Sequence, residues 1–548
     1  ELGRRQDVSG FISDADISTL AQRFNLADIE VEGVVSFYHF FHRKPTARFV
    51  IYLNNSIISE TKGFVRIREA FERETGIMTG QVDRTGTFAL FLTPCIGLSD
   101  QEPAALINFF PFTNLNAIRV KDIITALRNG ASPASICDMP ENNIRYMASD
   151  DKSVFFRKFI TGSAMARAKE IGAAAVIETL KQTQLAGRGG ANFPTWKKWQ
   201  SAMLQPAAPK YVICNADEGE PGTFKDRVLI CTQAASLIEG MMICGYTVGA
   251  QYGIIYLRAE YRWLKHILED VIKEYKEKGL LGKDCAGING FDFEIRIQVG
   301  AGSYVCGEET ALLESLEGKR GEPRTKWFFP VERGYMQLPT VINNVETFCA
   351  AARIIEMGAA AYLKIGIPGS HGTKRISVSG DCKRPGIYEV EMGTPLSDVV
   401  NELGGGFRVP VKAMHIGGPL GGLVPVSKMN ELQVDFDSFS SAGFLLGHAS
   451  IVCIPENFTL IKYIEHLFRF TAHESCGKCF PCRIGSTRGY EMLEKAQGSD
   501  YKLDRNLLND LLETLESGSL CALGGGLPLP VKNALAYFEK ELSPYFNK

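Results

Sequence analysis

The chain lacks an excess of charge of either sign: among 548 residues, 60 Lys and Arg stand against 62 Asp and Glu. With no dense Lys/Arg run either, the bulk argument for a nucleic-acid partner disappears. No stretch reaches the roughly 18 apolar residues of a membrane span. The best candidate, residues 240–250, is flanked by Glu239 and Gln251. No signal peptide is recognisable, and a cytoplasmic location is the default expectation; the first residue is Glu1, not Met, so the natural N-terminus stays open. The usual phosphate fingerprints are missing where glycines crowd. Gly187-Arg188-Gly189-Gly190, with Lys197 and Lys198 downstream, is neither a Walker loop nor GxGxxG. Yet glycines expose bare backbone N–H groups that can close on a phosphate.

Fourteen cysteines are many, but most, such as Cys231, Cys244 and Cys349, stand singly among apolar neighbours and read as buried thiols. One group breaks the pattern: Cys476, Cys479 and Cys482 follow CxxCxxC, and Cys521 can supply a fourth thiolate. A 4Fe-4S cluster and a four-sulfur zinc site both need four thiolates. Zinc sites usually pair their ligands as two CxxC knuckles, so three-plus-one spacing favours iron–sulfur over zinc or free thiols.

The length implies several domains. Short helices are expected over 14–40. Strands at 48–53 and 86–93 bracket a helix at 63–76, with a further helix near 121–129. From 164 to 330 strands and helices alternate: 211–216, 252–258, a helix over 260–279 and an alternating strand at 291–299. An α/β nucleotide-type domain follows from this order. Residues 374–425 are glycine- and proline-punctuated strand material, and beyond Pro455 the pattern is helical, with Leu507, Leu508, Leu511, Leu512 and Leu515 on one stripe. The strand at 211–216 runs into Asn215, Asp217, Glu218 and Glu220, and strand ends are where open α/β sheets bind ligands. A solvated acidic loop is the bland alternative. Gly307-Glu308-Glu309 precedes a helix, and Asn343-Asn344 add amides that both donate and accept.

Together, GRGGANFPTWKKW, CNADEGEPGT, YVCGEETAL, INNVET and ESCGKCFPCRIG resemble the flavoprotein subunit of respiratory NADH:quinone oxidoreductase from about Gly187 onward. The N-terminal SFYHFFHRKP, IYLNNSII and TPCIGLSDQEPA resemble the thioredoxin-like extension on the diaphorase subunit of soluble NAD-reducing nickel–iron hydrogenases. The resemblance implies a multidomain α/β chain. It divides into a helical segment (1–45), a thioredoxin-like domain (46–135), a Rossmann-like FMN/NAD domain (150–360), a small β-rich ubiquitin-like or SLBB domain (370–450) and a helical 4Fe-4S domain (455–548). Residues 41–130 hold only Cys95, too few thiolates for a 2Fe-2S cluster, so that domain is expected to be structural.

Carried over by motif, FMN contacts fall on Gly187, Arg188, Gly189, Gly190, Lys198, Asn215, Asp217, Glu218, Tyr304, Gly307, Glu308, Glu309, Asn343, Asn344 and Thr347. NAD contacts fall on Phe193, Glu220, Lys326 and Phe329, and cluster ligands on Cys476, Cys479, Cys482 and Cys521; no side chain need act as catalytic acid or base. Asn192 and Trp196 replace family glycines, Gly219 a frequent Ser and Trp327 a common Pro. The implied activity is exchange of a hydride between NAD and FMN and of single electrons with the cluster. The implied partners are hydrogenase subunits carrying further clusters and a nickel–iron site, with no nucleic acid and no membrane. Alternatives are the same subunit in a respiratory NADH dehydrogenase or a bifurcating hydrogenase or formate dehydrogenase, and, from another class, a zinc-stabilised scaffold.

Overall fold

The structure is a computed structural model and describes residues 1–547. In the N-terminal unit the strand Phe49–Asn54 runs parallel to Phe88–Thr93, Ile51 opposite Leu90, and antiparallel to Ala105–Ile107. Two outer strands complete a five-stranded sheet. Aromatic and β-branched residues suit a half-buried pleat, and Phe49, Ile51, Leu53 and Leu90 bury against Phe71 and Ile124 of the helices Phe64–Thr75 and Ala117–Arg128. The first of these helices stops at Gly76, whose φ of 77° places it in the left-handed region.

Near the end of this sheet the Glu102 carboxyl accepts from Ser59 Oγ at 2.5 Å and from Asn54 Nδ2. Burial raises its pKa to about 8. A carboxyl raised above its unfolded value binds a proton in the native state that the unfolded chain has released. Stability therefore falls as pH rises from about 4.5 to about 8, by up to about 1.4 kcal/mol per pH unit. Glu102→Gln should flatten this slope, leaving the variant comparable at pH 5 and more stable than the parent at pH 8.5. Calorimetry of the full chain across that range checks it.

The central sheet is all parallel, in the order Thr340–Asn344, Tyr211–Ala216, Tyr252–Leu257, Glu294–Val299. Strands covered on both faces are apolar throughout, as Val212, Ile213, Cys214 and Ile254 to Leu257 are. Lys225–Val248, broken at Gln233, lies against Val345–Met357. The two helices approach so closely that a Cβ on Gly240 would sit 2.1 Å from the Phe348 carbonyl oxygen. Lys225–Val248 corrects the expectation about apolar runs. It is long and apolar enough to cross a membrane, but 78% of its most apolar window is buried inside the protein, as suits a core helix.

The helix expected over 260–279 is also divided. Ala259–Leu264 is a 3-10 turn with Tyr261 off helical geometry, and the α-helix proper is Lys265–Glu277. The Tyr261 hydroxyl donates to Glu218 at 2.9 Å from a fully buried position, and that tertiary demand outweighs local periodicity. The strand expected at 291–299 is shorter, Glu294–Val299, at the sheet edge; Phe291 and Phe293 are buried before it begins.

The β-rich part is one six-stranded sheet that draws strands from outside 370–450, namely Ile144–Tyr146 and Ser450–Pro455. In the helical C-terminal part, Leu508, Leu512 and Leu515 are buried, Leu511 packs at the edge of the same core and Leu507 is exposed.

Candidate active site

Parallel topology puts the C-terminal ends of Tyr211–Ala216 and Thr340–Asn344 side by side, with Asn215 in register with Asn344. Above them opens a cavity of about 520 Å³. Its wall takes Gly187, Gly189, Gly190, Phe193 and Lys198 from the glycine loop, and Asn215, Asp217, Glu218 and Glu220 from the acidic turn. Tyr304, Gly307, Glu308, Glu309 and Lys326 close one side, and Asn343, Asn344 and Thr347 another. Two of the expected residues are not in this wall. The Arg188 side chain turns away, donating to the His371 carbonyl at 3.3 Å, and only its backbone N–H, bound to Thr347 Oγ1 at 2.9 Å, faces the loop. Phe329 is exposed, as are Trp327 and Phe328 beside it.

The loop conformation explains the residue choices. Asn192 has φ of 50°, a left-handed position where glycine is easiest and Asn is tolerated. A Cβ on Gly189 would lie 3.0 Å from Asn344 Cβ, and one on Gly219 would lie 3.1 Å from the Tyr304 ring. Bare backbone is therefore required on two sides of the cavity.

Several carboxylates are committed to the protein. Glu218 accepts from the N–H of Asp226 (2.8 Å) and of Arg227 (3.1 Å); burial still raises its pKa to about 7, with Asp226 adding to the rise. Glu308 caps the helix Glu309–Leu316, accepting from Thr310 and Ala311 N–H at 2.9 and 2.8 Å. Burial also holds Asp217 well above the usual carboxylate range, although Arg258 pulls it back. Tyr304 donates its hydroxyl to Glu220 Oε1 at 2.5 Å, and Lys198 Nζ donates to Glu309 at 3.1 Å and to the Ile342 carbonyl at 3.0 Å.

Sequence reading missed the far wall. Gly417, Leu420, Gly421, Leu445, Gly447 and His448 come from the β-rich sheet and its loops, and Thr223, Lys225 and Asp226 from the turn after the acidic motif. The repeated glycines of GGPLGG, the same texture as the loop at 187–190, were the available signal. His448 Nδ1 lies 2.8 Å from Thr223 Oγ1, and its Nε2 lies 3.8 Å from Glu220.

Behind the glycine loop is a buried charge network. Glu346 receives Lys374 Nζ at 2.8 and 2.9 Å, Lys225 Nζ at 3.2 Å and Arg375. Lys225 also binds Asp226 at 2.6 Å and Asn344 at 3.1 Å. Burial, then the neighbouring Lys225 and Arg188, lowers the Lys374 pKa well below its ordinary value. Four basic side chains (Lys225, Lys374, Arg375, Arg188) face four carboxylates (Asp226, Glu218, Glu346, Glu389), and Arg188 Nε, Arg375 Nε and Arg375 Nη1 have no partner among the described residues. Unpartnered guanidinium donors beside a cradle of bare backbone suit a phosphate-bearing ligand such as FMN.

The four motif cysteines converge. Cys476 packs near Cys521 and Val305; Cys479, Cys482 and Cys521 pack with Phe470 and Leu523. Burial pushes the Cys482 thiol up to about 12 and the Cys521 thiol up to about 11, and each responds to the charges of the others. Such thiols ionise only when a strong positive charge binds them. Among the described residues, no three of these sulfurs lie within 4.8 Å of one another. A single zinc ion would draw its sulfurs to about 3.8 Å spacing, given Zn–S of ~2.3 Å. The three-plus-one order of the quartet fits a multi-iron cluster better than paired zinc knuckles. Cys521, with Ala522 and Leu523, also lines the large cavity.

Comparison with known proteins places these parts in order. Residues 2–128 match the thioredoxin-like [2Fe-2S] ferredoxin family and 180–353 the Nuo51 FMN-binding domain. Residues 375–422 match the SLBB domain, and 462–545 the NADH-ubiquinone oxidoreductase-F iron-sulfur binding region. The chain is 42% identical to the NAD-reducing hydrogenase HoxS subunit alpha of Cupriavidus necator, over 97% of this chain and 89% of that one. It is 41% identical to the NADP-reducing hydrogenase subunit HndC of Solidesulfovibrio fructosivorans, over 67% of this chain and 75% of the relative. Identity to an NADH-quinone oxidoreductase subunit of Aquifex aeolicus is 40%, over 70% of this chain and 89% of the relative. A crystal structure of NAD+-reducing [NiFe]-hydrogenase in the H2-reduced state superposes with a TM-score of 0.91 at 32% identity, covering 100% of this chain and 92% of that chain.

Proposed function

The chain belongs to the family of diaphorase flavoprotein subunits of NAD-reducing hydrogenases, within the wider NADH:quinone oxidoreductase flavoprotein subunits, and from that premise we propose how its residues divide the work. FMN, when bound, exchanges a hydride with NAD and single electrons with a 4Fe-4S cluster, converting between two-electron and one-electron carriers. The protein supplies position, charge and exclusion of water. The observation that carries the reading is that Cys521 belongs both to the thiol quartet and to the cavity wall. A ligand in that cavity and a cluster on those thiols share one residue as their boundary.

Gly189 and Gly190 would offer their backbone N–H groups to the FMN phosphate; the N–H groups of Gly187 and Arg188 shape the loop instead, bound to the Phe193 carbonyl and to Thr347 Oγ1. Asn215, Asn343, Asn344 and Thr347 orient the rest of that cofactor. Phe193, half exposed at the rim, and Lys326 are placed to receive the nicotinamide nucleotide. Phe329, outside the wall, takes part only if its segment moves inward. The N-terminal domain offers two thiols, Cys95 near its strand ends and Cys137 at the edge of its core, too few for the four ligands of a 2Fe-2S cluster, and its role in this reading is structural. We assign the chain to a cytoplasmic assembly whose other subunits carry further clusters and a nickel–iron site, without membrane or nucleic acid. The quinone-reductase relative and the HndC subunit match about 70% of this chain or less, whereas the HoxS subunit alpha matches 97% of it, the N-terminal domain included.

Anaerobic purification tests the reading. Flavin bands over a broad brown shoulder, with about four irons per chain, support it; a colourless zinc protein overturns it.

Glu220 sets nucleotide choice in this reading, because a carboxylate repels a 2′-phosphate. The Tyr304 hydroxyl fixes its position. Glu220→Gln should raise kcat/KM for NADPH by about tenfold, equivalent to ~1.4 kcal/mol. Steady-state kinetics with both nucleotides checks this, and no gain with NADPH removes Glu220 from the role.

A further inference from the structure

Outside the cavity, the most pointed grouping of ligating side chains joins the two ends of the chain. His39 lies between the helix Asp28–Val35 and the strand Phe49–Asn54, while His473 and Glu474 close the helix Leu460–Glu474. One nitrogen from each imidazole and one carboxylate oxygen lie within 4.8 Å of one another. His39 Nδ1 and His473 Nδ1 are each 3.7 Å from the same atom, Glu474 Oε1.

That spacing is too long for hydrogen bonds, which end near 3.2 Å. It is close to the edge of a tetrahedron around zinc, about 3.4 Å when Zn–N and Zn–O are ~2.0–2.1 Å. Each nitrogen–oxygen edge is within a few tenths of an ångström of that value. The carboxylate is already oriented, since Glu474 is buried and its Oε2 accepts from the Tyr304 N–H at 2.8 Å. Such a hold on the non-ligating oxygen is how outer contacts fix a metal ligand. The two imidazoles are neighbours, with ring centroids 4.7 Å apart and planes tilted by 58°. His473 is half exposed and gives the ion a route in from solvent.

The surroundings are polar. His39 and Glu474 border a small polar void with Asp217, Glu260 and Arg258. Arg258 is paired with Glu260 at 2.7 Å, and the basic groups nearest to Glu474 Oε1 are the two imidazoles themselves.

We propose that His39, His473 and Glu474 form a binding site for a divalent transition-metal ion, with zinc the cation their chemistry suits best and a fourth position open to water. Two imidazole nitrogens and a carboxylate are a borderline donor set that Zn²⁺ takes in preference to Mg²⁺ or Ca²⁺. The ion would pin the N-terminal extension to the helix that leads into the cysteine motif. The site is independent of the FMN assignment, because none of its three ligands lines the large cavity.

The test uses the full chain with its flavin and iron in place, treated with a mild chelator and then dialysed against micromolar Zn²⁺. Metal analysis should find about one zinc per chain beyond the cluster iron, and zinc-edge X-ray absorption should show only N/O neighbours at ~2.0–2.1 Å. His39→Ala should weaken zinc binding by about tenfold or more while flavin and iron contents stay at the parent level, and His473→Ala should do the same. Glu474→Gln supplies a variant of nearly unchanged shape with a weaker ligand. Undiminished zinc in His39→Ala overturns the proposal, as does a sulfur shell near 2.3 Å, which would mean capture by the motif thiols. Failure to retain zinc in the parent chain overturns it equally.

Discussion

Cys521→Ala is expected to strip the chain of cluster iron while NADH still bleaches the bound flavin. The quartet is three-plus-one: Cys476, Cys479 and Cys482 come from one loop and helix start, and Cys521 arrives alone as the residue before the helix Ala522–Gly526. Without it three thiolates leave one iron of the cube open, in a pocket whose apolar neighbours, Phe470 and Leu523, offer no replacement ligand. Iron should fall from about four per chain toward zero. Electron delivery to partner subunits should be lost, whereas flavin reduction by NADH should survive, since the cavity loses only a sulfur from its wall. Cys521→Ser keeps an oxygen in place and should retain part of the iron. Cys95→Ser is the control: that thiol is buried in the N-terminal domain, outside the quartet, and its loss should leave iron unchanged. Iron analysis, EPR of the reduced chain and stopped-flow flavin bleaching read the three outcomes. Full iron in Cys521→Ala would remove Cys521 from the ligand set.

The second large effect concerns Glu346, a carboxylate with no solvent exposure that faces Lys225, Lys374 and Arg375. Glu346→Ala leaves three cations buried with too little negative charge. Breaking a buried pair from one side typically costs about 3–5 kcal/mol, because the remaining charge has lost both water and partner. Lys374 and Arg375 lie on the strand Thr373–Gly380 and Lys225 starts the helix Lys225–Val248, so the damage falls on the seam between the β-rich and nucleotide-type domains. Poor soluble yield, a lower thermal midpoint and loss of flavin should appear together. Replacing Lys374 by Met in the same chain removes one of the stranded cations and should recover part of the midpoint. A Glu346→Ala chain that keeps its flavin and melts within about 2 °C of the parent would show that the network contributes little, since a deficit of 1 kcal/mol already moves a domain of ~150–250 residues by ~2–4 °C.

Local pattern was informative where a residue's neighbours in sequence are also its neighbours in space. The strands at 211–216 and 252–258 were legible because parallel strands covered on both faces must be apolar in unbroken runs, and the one at 48–53 because its aromatic and β-branched residues suit a pleat. The glycine loop and the acidic turn were legible because each is a short segment at the end of one strand. Tyr261 shows the limit. Its hydroxyl is drawn to Glu218, and a turn that periodicity assigns to the α-helix becomes a 3-10 turn. Arg188 shows another, since motif position put it in the cavity whereas its side chain reaches back to the His371 carbonyl. His448 carries no local signal at all: its place opposite Glu220 depends on how the β-rich sheet docks.

By itself the sequence determined the kinds of chemistry this chain can hold. Four cysteines at that spacing call for a metal centre, and bare glycine backbone calls for an anion, because thiolates and exposed N–H groups have few other uses. Tertiary structure alone decided that Cys521 stands between the two centres and that His39 meets Glu474 across more than four hundred residues of chain. It also set the buried charge network behind the loop. Such juxtapositions depend on side chains far apart in sequence brought together by packed cores, and no single segment encodes the distance between them.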